Sequence, residues 1–363
     1  MKFRDTHFQP SNQAAMNNST EFNSSSPACS TIVSTMFTLA LSVISAAALI
    51  GNVLVSTTFM KTRSLRTSTN YYIVNMAVSD LLGSVFNWPL YASEGMLTPK
   101  VLISEPWASL VCKMGMYFRA VSQVVSVLSL MLIALDRFVA IVYPLKVIKL
   151  NVKTRVILLS FTWLIPIFFG LPYVLFARVI KVEDQTFCRV MMSDGASTVF
   201  NGIGFILFYI IPLMTIIILY SLIMRALRKR PKTSNLENNQ HNGKRRQQNL
   251  KILKILVSIV FAFFICWTPL SIYLFLKKFY PSLFPKDRCL LLVGFSFYLF
   301  PSLSTAINPV ILFVFSTNYG QALKSLCLLC FPLFKCGFKV GQPKKSSVIM
   351  ETQEVNVEMT DTH

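Results

Sequence analysis

Two carboxylates stand where apolar sequence surrounds them. Asp80 lies inside an apolar run of about residues 70–97, and Asp136 comes late in another that opens near residue 112. A carboxylate in a dry environment must be protonated, solvated or paired with a cation. Asp136 has its cation next door in Arg137, whereas Asp80 is isolated. A third group of interest is Arg119, one to two turns below Cys112 on a helical stripe shared with Gln123 and Ser126. A guanidinium facing inward favours a carboxylate, a phosphate or a peptide C-terminus as its ligand. The alternative is an internal ion pair with Glu94 or Glu105. Other chemistry is poorly supplied. The three histidines, His7, His241 and His363, fall in tails or loops, which argues against a histidine-based metal site. No nucleophile constellation suggests a membrane enzyme.

The elements that must position these groups follow from composition. The chain has 363 residues, 53% of them apolar and only 14% charged, with a mean hydropathy of +0.55. A water-soluble surface carries about 25% charged residues. Seven apolar runs can be marked at about 32–60, 70–97, 112–143, 154–177, 198–224, 252–277 and 289–315. Each is long enough to cross a hydrocarbon core of ~30 Å as a helix. None shows the alternation of a membrane barrel strand. Met1 to Ser30 is polar, so no cleavable signal peptide is expected and the first span serves as its own insertion signal. With the N-terminus outside, about two thirds of the 35 cations fall in the inner segments, the positive-inside bias. The net charge of +20 is therefore read as an orientation signal and not as a nucleic-acid footprint, because the cations are scattered over short loops. The acceptor triplets at Asn17, Asn18 and Asn23 predict glycosylation of the outer tail.

Of the eight cysteines, Cys29, Cys112, Cys188 and Cys289 fall outside, Cys266 falls within the sixth span, and Cys327, Cys330 and Cys336 fall inside. Four thiols in an oxidising compartment allow three pairings. The expected one joins Cys112, at the start of the third span, to Cys188, in the loop before the fifth, and Cys29 to Cys289. Cys327 and Cys330 border a membrane-surface segment, as palmitoylation sites or as free buried thiols.

Every span carries a short polar or proline signature: Gly51-Asn52-Val53; Asn75 to Leu82 around Asp80; Asp136-Arg137-Phe138; Trp163; Pro212 and Tyr220; Cys266-Trp267-Thr268-Pro269; and Asn308-Pro309. In this order they resemble the rhodopsin-like (class A) G-protein-coupled receptors over about residues 30–331. The resemblance implies an all-α bundle of seven membrane helices with a short amphipathic helix after the last. Residues 1–30 form an outer tail, 31–331 the receptor domain, and 332–363 a cytoplasmic tail. It implies a plasma-membrane protein with its C-terminus in the cytosol, in which a heterotrimeric G protein is the partner and Asp136 holds Arg137 at rest. Tyr220, Phe263, Trp267, Asn308 and Pro309 complete the switch, with Phe263 and Val127 packing beside Pro212. Asp80, Ser126, Ser304 and Asn308, with Asn52 and Thr305, stand where the family builds a sodium site. The alternative is a hydrogen-bonded polar core without an ion. Arg119, Gln123, Glu94, Trp267, Ser271, Leu274 and Tyr298 are the expected ligand contacts. Arg119 replaces the acid of amine receptors, and the absence of a lysine from Tyr298 to Thr305 argues against retinal. A peptide is the favoured ligand, with a small anionic metabolite or a lipid as the alternative.

Three departures stand out. Phe138 replaces a common tyrosine; Leu312 stands where the family usually has the tyrosine that acts with Tyr220; and the stretch Gln247 to Lys251 lacks an acid to reinforce the Arg137 lock. The missing acid loosens the resting lock, so ligand-independent signalling is the hypothesis it raises, and Leu312 bears on the efficiency of activation. The third inner loop, about 229–250, is expected to be disordered, and Ser346, Ser347, Thr352, Thr360 and Thr362 offer phosphorylation sites for receptor kinases and arrestin. A polytopic transporter is the competing class, but the inverted repeats it would show are not visible.

Overall fold

A computed structural model describes residues 31–95, 105–143, 152–182, 185–229, 236–280, 282 and 288–330. Helices dominate. α1 (Thr31–Lys61), α2 (Ser68–Gly95), α3 (Trp107–Val142) and α4 (Val152–Phe176) lead to an antiparallel pair, β1 (Ala177–Val182) and β2 (Gln185–Val190). The fifth span follows as α5 (Asp194–Phe205), a π-helical turn (Ile206–Ile210) and α6 (Ile211–Lys229). α7 (Leu236–Phe279) and α8 (Arg288–Phe315) are the sixth and seventh spans, and α9 (Thr317–Cys330) closes the described chain.

Among the described residues, five helices are long and apolar enough to cross a membrane; Leu299–Phe315 qualifies only together with Thr317–Ser325, bent from it by 91°. That bend is the turn from the seventh span into the surface helix. α2 falls short of the apolar criterion because Asn75, Ser79, Asp80 and Asn87 sit in it, yet its 28 residues reach ~42 Å. The burial pattern is that of a membrane bundle. Large apolar side chains such as Val43, Phe168 and Phe261 are about two-thirds exposed, and polar ones such as Asn52, Ser79, Asp80 and Ser126 are buried. Facing hydrocarbon, an apolar exterior costs nothing, and polar groups must find partners inside.

Two close approaches set the helix spacing. A Cβ on Gly51 would lie 2.8 Å from Pro309 Cβ, so α1 and α8 can meet here only through glycine. A Cβ on Gly83 would lie 2.6 Å from Ser122 Oγ, which fixes α2 against α3. Below these points an apolar core joins α1, α2, α3, α6, α7, α8 and α9, with Leu130, Ile133, Ile223, Ile259 and Tyr319 fully enclosed.

The expected spans lie within a few residues of the observed helices, but the third inner loop does not behave as expected. α7 begins at Leu236, so residues 236–250 are helical. The stretch is rich in Asn and Gln with Lys and Arg; apart from Asn these are good helix formers, and the stretch extends a span that is already nucleated. Polarity marked it as solvated, and a solvated helix has the same composition. The hairpin was also not anticipated. Its signal was present in two β-prone runs flanking Glu183-Asp184. Residues 1–30 and 331–363, with Cys29, Cys336 and the three glycosylation triplets, lie outside the described residues, as do the side chains of Glu94, Cys289, Tyr298, Cys327 and Cys330.

Candidate functional site

The outer end is tied down by a disulfide. Cys112 and Cys188 are bonded with their Cα atoms 5.5 Å apart. Val179 pairs with Cys188 across the hairpin, and both pack with Ala177 and Met116 against the outer end of α3. The hairpin is thereby held over the bundle.

Beneath it lies a small cavity of about 30 Å³ between α1, α2, α3, α7 and α8, roomy enough for water. Arg119 and Gln123 reach it from α3, Asn87 from α2, Trp267 from α7, and Ser302 and Thr305 from α8. Arg119 also lies within electrostatic reach of Tyr173 on α4. The expected contacts on α7 divide. Trp267 borders the cavity; the Ser271 hydroxyl donates to the Trp267 carbonyl at 2.9 Å. Leu274 sits on the stripe of Trp267 but ~10 Å further out, half exposed above the cavity.

Deeper in, Asp80 is buried, at 2% exposure. Ser126 Oγ donates to its Oδ1 at 3.0 Å and Asn308 Nδ2 to its Oδ2 at 3.2 Å, while Ser79 Oγ stands 3.0 Å from Ser126 Oγ. Asn308 Oδ1 is buried with no hydrogen-bond partner. The wider cluster expected here is smaller in the structure. Ser304 turns to the other side, where its hydroxyl accepts from Trp267 Nε1 at 3.2 Å and donates to the Pro301 carbonyl at 2.7 Å. Asn52 Nδ2 is spent on the Ala48 and Thr305 carbonyls, at 2.9 and 3.0 Å. Pro309 lacks an N–H and frees the Thr305 carbonyl for this bond, which explains why Asn52 braces α8 and leaves the carboxylate alone.

At the inner end of α3, Arg137 donates from Nη2 and Nε to Asp136 Oδ2, at 2.6 and 3.1 Å. Thr69 of α2 donates to the same oxygen at 2.7 Å. Three donors therefore converge on one carboxylate oxygen. Tyr220 and Tyr319 are both buried with their hydroxyls unpartnered, and Leu312 is enclosed in the same core. Phe263 stacks obliquely on Trp267 at 5.9 Å, and Val127 belongs to the same cluster.

The profile of the 7 transmembrane receptor (rhodopsin family) matches residues 51–312, well over half of the chain. The chain belongs to this family. The receptor is 26% identical to neuropeptide FF receptor 2 of Rattus norvegicus over 305 residues, 78% of this chain and 70% of that one. It is 26% identical to the allatostatin-A receptor of Bombyx mori over 310 residues, 82% and 80% of the two chains. To prokineticin receptor 2 of Homo sapiens it is 25% identical over 288 residues, 77% and 73%. The receptor thus brings Arg119, Gln123 and Trp267 to one cavity, Ser126 and Asn308 to Asp80, and Asp136 to Arg137. It does not bring Ser304 to Asp80.

Several polar contacts escaped the sequence reading. Asn75 donates to Ser129 Oγ and Thr162 Oγ1, at 2.9 and 3.0 Å, and accepts from Trp163 Nε1 at 2.8 Å, tying α2, α3 and α4. Tyr209 bonds Thr268 at 2.5 Å. Thr69, Ser129 and Thr162 are common helix residues whose partners lie far away in sequence. An asparagine within an apolar span, Asn75, was the one available hint.

Proposed function

We propose that this receptor is activated by an extracellular peptide and passes the event to a heterotrimeric G protein. The observation that carries this is the set of relatives named for peptides, each aligned over most of the chain. The outer cavity, floored by Trp267 and bordered by Arg119, suits a ligand that brings a hydrogen-bond acceptor inward. In this reading the N-terminus is extracellular and the C-terminus cytoplasmic. Glycans sit on Asn17, Asn18 or Asn23, and acyl chains on Cys327 and Cys330. The phosphorylated tail recruits arrestin.

Activation is a population shift. Ligand bound at Arg119, Gln123 and Trp267 favours the arrangement in which α7 pivots at Pro269, where one backbone hydrogen bond is missing. The inner end of α7 then moves away from α3. Arg137 leaves Asp136 and becomes available to the G protein. Asp80 is suited to a sodium ion in the resting arrangement: it is a buried carboxylate with only neutral donors on it, next to the unpartnered oxygen of Asn308, and a hard cation takes oxygen ligands.

The test is a screen of peptide and acidic-metabolite libraries on cells expressing wild type or Arg119→Ala, reading calcium and cyclic AMP. Peptide responses in wild type that weaken in Arg119→Ala support the proposal. Responses confined to the metabolites transfer it to a small anionic ligand, whose carboxylate or phosphate Arg119 would equally accommodate.

A further inference from the structure

The sixth span is held from two sides at adjacent residues, immediately before its proline. On one side Trp267 Nε1 donates to Ser304 of α8 at 3.2 Å. On the other, the Tyr209 hydroxyl lies 2.5 Å from Thr268 Oγ1. The direction of this second bond is determined by proton count. Thr268 Oγ1 spends its single proton on the Phe264 carbonyl at 2.6 Å, so Tyr209 is the donor and Thr268 the acceptor.

Local structure accounts for the geometry. Tyr209 is the fourth residue of the π-helical turn, where the wider winding changes the direction of the side chains that follow. Its ring stacks on Phe205 at 5.2 Å and meets Phe264 edge-on at 5.5 Å, and the residue is 9% exposed. With so little access to water, its hydroxyl cannot simply exchange Thr268 for solvent. Thr268 directly precedes Pro269, at the point where α7 lacks a backbone bond. Trp267 and Thr268 are successive residues, so their side chains leave the helix ~100° apart. A rotation or tilt of α7 that carries one of them away from its partner also moves the other, and an O–H···O bond weakens steeply beyond ~3.0 Å.

We infer that Tyr209 and Thr268 are a further pair of switch residues: their hydrogen bond, from the wide turn of span five to the residue before the proline of span six, holds the receptor in its resting arrangement. The inference rests on the receptor reading above for the event that breaks the bond. It concerns a contact outside the Asp136–Arg137 lock, and it offers this chain a second restraint on α7, where the stretch Gln247 to Lys251 carries no acid.

The test uses purified full-length receptor in lipid nanodiscs, without ligand or G protein. Spin labels at positions 152 and 251, attached through ketone-bearing residues so that the native cysteines are untouched, report the separation of the inner ends of α4 and α7. Val152 is 67% exposed, and Lys251 also faces outward. Tyr209→Phe keeps the ring packing and removes the donor; Thr268→Val removes the acceptor. Each is expected to raise the ratio of long to short separations about three- to tenfold, the shift that one net hydrogen bond produces. The double variant should match either single one, and Thr268→Ser, which keeps the acceptor, should stay at the wild-type ratio. Unchanged ratios in both single variants overturn the inference. So does a double variant whose shift is the product of the single shifts, or a Thr268→Ser that behaves like valine. Because this readout needs no ligand, a failed ligand screen leaves it standing, and its own failure leaves the receptor reading intact.

Discussion

Two acids sit inside this bundle, and they are treated differently. Asp136 receives a guanidinium from its own neighbour and a hydroxyl from α2, all on one oxygen. Asp80, more enclosed, receives only the neutral donors of Ser126 and Asn308. Charge in hydrocarbon must be compensated. Asp136 is compensated by an ionised neighbour, and Asp80 by neutral donors alone. In the function proposed above, the first arrangement is the lock and the second is the ion site. The same contrast appears in packing. Around Asp136 the core is apolar and continuous, whereas above Asp80 the helices leave a small cavity that Asn87, Arg119, Ser122 and Gln123 border.

The contrast can be broken from either end. The largest effect is expected from Asp136→Asn. It leaves Arg137 without a counter-charge in a setting where both side chains are mostly buried, at 19% and 9% exposure. Removing one partner of such a pair costs roughly 3 kcal/mol, so ligand-independent signalling per receptor at the surface should rise more than tenfold. A basal signal equal to wild type would show that the pair does not restrain the switch. Asp80→Asn should act in the opposite way. It should abolish the difference in thermal stability between sodium chloride and choline chloride at equal ionic strength, a difference of about 2–4 °C expected for wild type when sodium is about tenfold above its dissociation constant. A sodium effect that survives in Asp80→Asn would remove the ion from this layer.

Gly83→Ala probes the packing beside Asp80. The new methyl would meet Ser122 Oγ at 2.6 Å, and overpacking of this kind costs about 1–3 kcal/mol. The melting temperature should fall, and the added change Ser122→Gly should recover part of the loss. Recovery by a small residue anywhere else would mean that the contact is not the cause. The smallest effect is expected for Thr69→Val. It removes one of the three donors to Asp136 Oδ2, worth about 1 kcal/mol, so basal signalling should rise only severalfold, well short of Asp136→Asn. An effect as large as that of Asp136→Asn would transfer the lock from Arg137 to α2.

The sequence already carried the spans, the disulfide between Cys112 and Cys188, and the adjacency of Asp136 and Arg137. Membrane spans are readable because hydrocarbon tolerates no long polar stretch, and a neighbouring ion pair needs no folding to be seen. The π-helical turn in span five was invisible, because Ile206 to Ile210 reads as ordinary apolar helix and its winding is set by what it packs on. The direction of Ser304 was not legible for a related reason. The family pattern groups it with Asp80, while its hydroxyl in this chain bonds Trp267. A serine can turn to either of two neighbours, and which of them is nearer depends on the rotation of α7 against α8. The helix from Leu236 was missed because solvated loop and solvated helix share the same residues.

What the sequence determined alone was the partition between lipid and water: which segments cross and which polar residues are forced into the interior. These are properties of single segments in a solvent, and composition decides them. Only the tertiary structure decided the partners. Asn52 could reach Thr305, Asn75 could join three helices, and Tyr209 could meet Thr268 because separate spans were brought into one register by close contacts such as Gly51 on Pro309. A hydrogen bond is made or lost within a fraction of an ångström, and no residue carries that distance in its own identity.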